Sequence, residues 1–152
     1  MKKMYTRKDV DYSYLAATLD DEGCVRVRLR KGNKLDVTVS VQMTDIAPLE
    51  LFKFYFKGGL RKKKNKTKGG LPVFRYFASH RRAENILREL LPFLLVKKER
   101  ADLGLRICEI KLSHGGNDLR SKEKLLLARK LNMMNSSKGG VSKVVRITEA
   151  MA

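Results

Sequence analysis

Tryptophan is absent from this chain, and its 152 residues include only two cysteines, three prolines and two histidines. Cys24 and Cys108 are too few for a disulfide framework. His80 and His114 cannot by themselves build a histidine-rich metal centre or a histidine-based nuclease cluster. Neither has neighbours at ligand spacing, so each reads as an exposed or loop histidine. No run of eighteen apolar residues occurs, which excludes a membrane-spanning helix, and no membrane partner is expected. The stretch 1–14 carries charge without an apolar segment, so a secretory signal is not expected. These absences point to an intracellular protein that is not secreted. Acids are scarce too: 16 Asp and Glu stand against 34 Lys and Arg, a formal net charge of +18. A compact domain with that imbalance repels itself, and the excess implies a polyanionic partner.

What is present is enough for one domain over residues 1–152, with a single core. Tyr12 to Leu19 reads as a helix with Asp11 as N-cap and Gly23 as the stop. Val25, Val27 and Leu29 then alternate with Arg26, Arg28 and Arg30. After a Gly32-Asn33 turn, Leu35, Val37, Val39, Val41 and Met43 alternate with Asp36, Thr38, Ser40, Gln42 and Thr44. This period of two predicts a hairpin with one apolar and one polar face. Ile46 to Phe56 has helical spacing, with Pro48 in its first turn. Residues 57–68 hold seven Lys or Arg and no acid, and read as a strand start followed by a long hairpin loop. Leu71 to Ser79 is the returning strand. Ser79 can cap a helix from Arg81 to about Leu91. Pro92 interrupts, and a longer helix is expected from about Phe93 to Lys111. After a loop at 113–118, a last helix spans about Arg120 to Met134. Residues 135–152 carry no assignment. The order α-ββ-α-ββ-α-α-α makes an α+β domain.

The polar sheet face combines side chains suited to base edges. Arg26, Arg28, Arg30, Asp36, Thr38, Ser40, Gln42 and Arg75 include the residue types that hydrogen-bond bases in a major groove, into which a β-ribbon fits. Lys34, Arg61 and Lys63 suit the phosphate backbone. Double-stranded DNA is the expected partner.

Asp20-Asp21-Glu22 is an acidic triplet at the C-terminal end of the first helix. Acids there oppose the helix dipole at about 0.3–1 kcal/mol each. A hard divalent cation would relieve both this cost and their mutual repulsion.

The residues around the triplet, Leu15-Ala16-Ala17-Thr18-Leu19-Asp20-Asp21-Glu22-Gly23, resemble the motif of the LAGLIDADG homing endonucleases. Seven of the nine positions fit. Thr18 and Asp21 depart, standing where the family has an apolar and a small residue. Leu91-Pro92-Phe93-Leu94-Leu95-Val96-Lys97-Lys98-Glu99-Arg100-Ala101 is similar to the family's later proline-interrupted segment with its lysine. The resemblance spans about residues 10–134. It implies the family's αββαββα core with a four-stranded antiparallel DNA-binding sheet, here with additional C-terminal helices. It also implies site-specific double-strand cleavage of a long pseudo-palindromic target with short 3′ overhangs. By the same resemblance Glu22 and the backbone carbonyl of Asp21 hold the catalytic metal, Mg²⁺ or another divalent ion such as Mn²⁺. Lys97 stabilises the transition-state phosphate or polarises water, and Asp45 organises active-site water.

Only one motif copy is present, so two motif helices require a homodimer, with the small residues Ala16 and Ala17 at the helix contact. Two other functions share the fold. One is an RNA-binding maturase acting on its host intron, and the other is a DNA-binding regulator without nuclease activity. Glu22 and Lys97 favour the intron-encoded nuclease.

Overall fold

The computed structural model describes residues 4–30, 34–63, 69–110 and 122–135. The expected Gly32-Asn33 turn, part of the basic loop (64–68), the 113–118 loop with His114, and the tail from 136 lie outside these residues. The elements are α1 (Arg7–Glu22), β1 (Gly23–Arg30), β2 (Lys34–Met43), α2 (Ala47–Phe56), β3 (Gly59–Lys62), β4 (Phe74–Ser79), α3 (His80–Leu90), a 3₁₀ turn (Leu91–Phe93), α4 (Lys98–Glu109) and α5 (Lys122–Met134). This is the α+β order that the sequence periodicities predict.

The strands form one antiparallel sheet in the order β1-β2-β4-β3. Its apolar side is a ladder. Val25 pairs with Val39 and Val39 with Ala78, while Val41 faces Tyr76 and Tyr76 faces Leu60. The helices cover that side, and Leu15, Leu19, Leu49, Phe52, Ile86, Leu90, Leu103 and Leu131 complete one buried cluster with it. Tyr76 stacks on Phe52 at 5.2 Å and donates its hydroxyl to the Lys57 carbonyl at 2.6 Å. Burial raises the pKa of that phenol.

Helix α1 starts earlier than the apolar spacing predicts. Thr6 rather than Asp11 is the N-cap, in a capping box where the Thr6 hydroxyl accepts from the Asp9 N–H and the Asp9 carboxylate accepts from the Thr6 N–H. Such a box satisfies two orphan donors, which extends the helix beyond its apolar stripe. Asp11 instead accepts a hydrogen bond from the Tyr55 hydroxyl at 2.5 Å. At the other end α1 runs directly into β1 at Gly23. A Cβ there would lie 2.6 Å from the Leu19 carbonyl oxygen and 2.9 Å from the Leu19 Cα. That close backbone approach is why the position needs glycine.

The long helix expected from Phe93 is shorter. Pro92 sits in the 3₁₀ turn, Leu94 is extended, and α4 begins only at Lys98. Ser79 precedes α3 but makes no side-chain cap. The Asp36 carboxylate supplies the acceptor for the His80 N–H instead, at 3.1 Å. At the sheet edge, β1 is clipped by α5. The Asn132 amide accepts from the Val27 N–H and donates to the Val27 carbonyl, both at 3.3 Å, and Asn135 donates to the Val25 carbonyl at 2.5 Å. A side-chain amide thereby takes the place of a neighbouring strand and closes an edge open to mispairing.

Candidate nucleic-acid interface and active site

The outward face of the sheet is built in ranks fixed by strand register. Gln42, Arg75 and Arg61 form the first rank, and Cys24, Ser40, Phe77 and Gly59 the second. Arg26, Thr38 and Ser79 follow, then Arg28 with Asp36, and finally Arg30 with Lys34. From Cys24 to Arg30 the face runs about 20 Å along β1, roughly six base-pair steps. A concavity of about 500 Å³ opens on it, lined by Arg26, Arg28, Thr38, Ser40, Arg61, Arg75 and Phe77. Burial lowers the pKa of the Arg75 guanidinium, and repulsion from Arg61, Arg26 and Arg28 lowers it further. The arginines are thus held against one another on one face, an arrangement that a polyanion relieves.

The expected contact residues distribute unevenly. Arg26, Arg28, Arg30, Lys34, Gln42 and Arg61 are exposed, while Thr38, Ser40, Lys63 and Arg75 are half-buried. The Lys63 ammonium donates to the Gln42 side-chain oxygen at 2.8 Å. Asp36 is the exception. Its side chain is on the right face but only 2% exposed, so it is no open DNA contact. Its Oδ1 is engaged by His80, through both the backbone N–H and Nδ1, the latter at 3.2 Å.

Phe77 was not among the expected contacts, yet it is 40% exposed at the centre of this face. A Cβ on Gly59 would collide with the Phe77 ring, so the ring lies flat over that glycine. The Arg61 guanidinium sits 5.1 Å from the ring centroid, a cation–π arrangement. The sequence signal was an aromatic at a polar-face position of β4, paired in register with a glycine of β3.

The acidic end of α1 adjoins the first ranks, because Gly23 follows Glu22 directly and pairs with Val41. Asp21 and Glu22 are exposed. Asp20 is committed to structure: its two carboxylate oxygens accept from the Leu95 N–H and the Lys97 N–H, each at 2.8 Å. The Lys97 ammonium donates back to the Asp20 backbone carbonyl. Lys97 is 7% exposed and stands at the N-terminus of α4, not within a long helix. Burial lowers its pKa first and Arg100 lowers it further, opposed by Asp20, Cys24 and Asp21. The residue types around Asp20 and Lys97 signalled acid and base, but not that Asp20 holds the Lys97 segment.

Asp45 lies just before α2, where its Oδ1 accepts from the Ala47 N–H at 3.0 Å. Among the described residues no hydrogen bond joins it to Glu22 or Lys97. Thr18, where the motif has an apolar residue, returns its hydroxyl to the Tyr14 carbonyl at 2.9 Å and is therefore satisfied within the helix. Ala16 is wholly buried in the core with Tyr12, Leu15 and Leu19, so it cannot line a contact between two copies. Ala17 is exposed, on the same outward stripe as Val10 and Tyr14.

Among the described residues, no three of His, Cys, Asp and Glu gather to hold a metal ion. The residues to which the motif resemblance points, Glu22 and Asp21, are exposed and could offer hard oxygens, the Glu22 carboxylate and the Asp21 carbonyl. That set suits Mg²⁺, which keeps waters and is commonly held by one or two carboxylates together with substrate phosphates. No described helix is long and apolar enough to cross a membrane.

No protein-family model matches the chain, and no curated protein matches it. Solved structures do. The homing endonuclease I-CvuI, in complex with the I-CreI target in the presence of Mg and with the DNA not cleaved, superposes with a TM-score of 0.71 at 22% identity, covering 93% of this chain and 94% of that one. The archaeal intron-encoded homing endonuclease I-Vdi141I, complexed with DNA, gives 0.66 at 18% identity over 95% and 98%. The group I intron-encoded homing endonuclease I-CeuI, complexed with DNA, gives 0.55 at 17% identity over 92% and 74%. The chain has the fold of these endonucleases.

Proposed function

We propose that the chain is a single-motif LAGLIDADG homing endonuclease, a Mg²⁺-dependent enzyme that makes site-specific double-strand cuts in DNA. The observation that carries this reading is one junction: the exposed acid Glu22 leads through Gly23 straight into β1, whose outward side chains are Arg26, Arg28 and Arg30. A phosphodiester lying across the start of β1 would meet the acid while its flanking bases meet the arginines.

In the proposed mechanism the sheet face enters the major groove. Arginines, Ser40 and Thr38 contact bases, and Lys34 and Lys63 contact phosphates. The Glu22 carboxylate and the Asp21 carbonyl would hold Mg²⁺, which when bound activates water and offsets charge on the scissile phosphate. Lys97, anchored on Asp20, would place a positive charge toward the phosphate oxygens as negative charge builds there. Because Lys97 is fixed before DNA arrives, little reorganisation is needed at the moment of reaction. Asp45, whose Oδ1 also accepts from the Ala47 N–H, is proposed to organise water at the site.

Two strands need two sites, and the proposed assembly is a homodimer about a two-fold axis. Support comes from the outward stripe of α1, where Val10, Tyr14 and Ala17 are exposed. Beside its C-terminal end Leu95 is 86% and Val96 74% exposed. Large apolar side chains left open next to a motif helix suit a second copy. The proposed product carries short 3′ overhangs.

The test is cleavage of a randomised duplex library with Mg²⁺ and with EDTA. Discrete Mg²⁺-dependent double-strand cuts support the reading. Binding without cutting under both conditions contradicts it.

A further inference from the structure

We propose that Asp36 and His80 are positioning residues that fix the Arg30 guanidinium for reading guanine at the hairpin end of the DNA face. The proposal rests on the DNA-binding reading above and adds a recognition device to it. Asp36 and His80 are 44 residues apart, and the register of β2 with β4 brings them together.

The Asp36 carboxylate is 2% exposed, and its Oδ2 is buried with no hydrogen-bond partner among the described residues. Burying a carboxylate is costly unless its oxygens are used. Here Oδ1 accepts from the His80 N–H at 3.1 Å, and the His80 Nδ1 lies 3.2 Å from the same oxygen. His80 holds φ 55, the left-handed region, in which His is among the better tolerated non-glycine residues. The left-handed backbone of His80 thus sets its ring with one nitrogen beside the Asp36 carboxylate.

The other nitrogen, Nε2, lies 2.5 Å from Nη1 of Arg30. A guanidinium has only donors, so Nε2 must be the acceptor, which leaves the ring hydrogen on Nδ1, 3.2 Å from the Asp36 carboxylate. The partners on both sides assign one neutral tautomer. The relay runs from carboxylate to imidazole to guanidinium. It acts where Arg30 faces Lys34 across the hairpin, a like-charge pair that would otherwise splay. One of Arg30's five N–H groups is consumed. The rest still include a pair able to bond guanine O6 and N7 together, the commonest specific arginine contact. Holding the side chain in advance removes part of the ordering cost on binding.

Base preference at every target position should be measured by selection from a randomised library for the parent, Arg30→Ala, His80→Asn and the double variant. Asparagine tolerates positive φ, so His80→Asn keeps the backbone and removes the bridge. The expected result is that Arg30→Ala loses guanine preference at one position of each half-site, by about 5- to 150-fold. His80→Asn should lose several-fold at that same position only, and the double variant should be no worse than Arg30→Ala. Heteronuclear NMR of the parent should find the neutral, Nδ1-protonated imidazole, which keeps the test open even if His80→Asn fails to fold. The inference is overturned if His80→Asn leaves that preference intact, if Arg30→Ala weakens all positions alike, or if the ring is Nε2-protonated. In each of these cases specific DNA binding by the parent would survive. A parent that shows no DNA binding would instead overturn the function proposed above, and this inference with it.

Discussion

The carboxylate of Asp20 accepts the backbone N–H groups of both Leu95 and Lys97, while the Lys97 ammonium donates to the backbone carbonyl of Asp20. Two residues 77 apart in sequence thus lock the end of α1 to the start of α4. The lysine lies over the C-terminal carbonyls of α1, where the helix dipole favours a cation. The first acid of the triplet is therefore taken up by structure, while the third, Glu22, is exposed.

Asp20→Ala strips the acceptor from two backbone donors. Hydrogen bonds to charged groups contribute about 1.5–3 kcal/mol each, so a combined loss of about 3 kcal/mol is expected. For a domain of this size that corresponds to a fall in Tm of roughly 6–12 °C. Calorimetry of the variant checks it, and an unchanged Tm would contradict the anchoring role.

Lys97 gives a pH prediction. Burial, then Arg100, holds its pKa below the ordinary lysine value. Between the lowered folded value and the unfolded one, the unfolded chain binds more protons, so this lysine's contribution makes stability rise with pH in that window. Cleavage that needs its charged form runs the other way and should decline on the alkaline side earlier than an exposed lysine would dictate. Lys97→Arg keeps the charge to higher pH. The alkaline limb of the pH–rate profile should move up in that variant, and an identical limb would show that Lys97 does not set it.

Phe77 offers an apolar surface among polar contacts. A phenyl ring in the major groove suits the thymine methyl group. Replacing thymine by uracil, one target position at a time, should weaken the parent several-fold at one position per half-site. Phe77→Ser should be insensitive to the same exchange. Equal sensitivity of both proteins, measured by binding titration, would reject this contact.

Asn132 closes the β1 edge with two hydrogen bonds to Val27. Asn132→Leu preserves bulk but orphans a buried N–H and C=O, at about 1–3 kcal/mol for each group. The urea midpoint should fall with little change in slope, and the Val27 amide should exchange faster. Unchanged exchange would mean that α5 does not protect this edge.

The hairpin, its apolar face and the order of elements were legible because a period of two and a period of 3.6 are local properties. Residues whose role depends on distant chain were not. His80 read as an exposed or loop histidine, and exposed it is, but nothing within its own segment reveals the β2 carboxylate beside it. Asp36 alternated correctly onto the polar face, but alternation gives the side of a sheet and not the depth at which a side chain lies. Ala16 and Ala17 look equivalent as small residues. The stripe Tyr12, Leu15, Ala16 and Leu19 turns the first inward and leaves the second outside. Pro92 marked an interruption, yet the extent of the break was set by Asp20, whose bonds to Leu95 and Lys97 hold the chain out of helix.

The most direct measurement compares the parent with Glu22→Gln, which is nearly isosteric and removes the charge. DNA binding and Mg²⁺-dependent cleavage should be followed on the same target. The expected result is binding within a few-fold of the parent and cleavage reduced by at least about a thousandfold, as loss of about 4 kcal/mol of transition-state stabilisation requires. Equal cutting by Glu22→Gln would contradict the assignment of this carboxylate as the acid at the centre of the site.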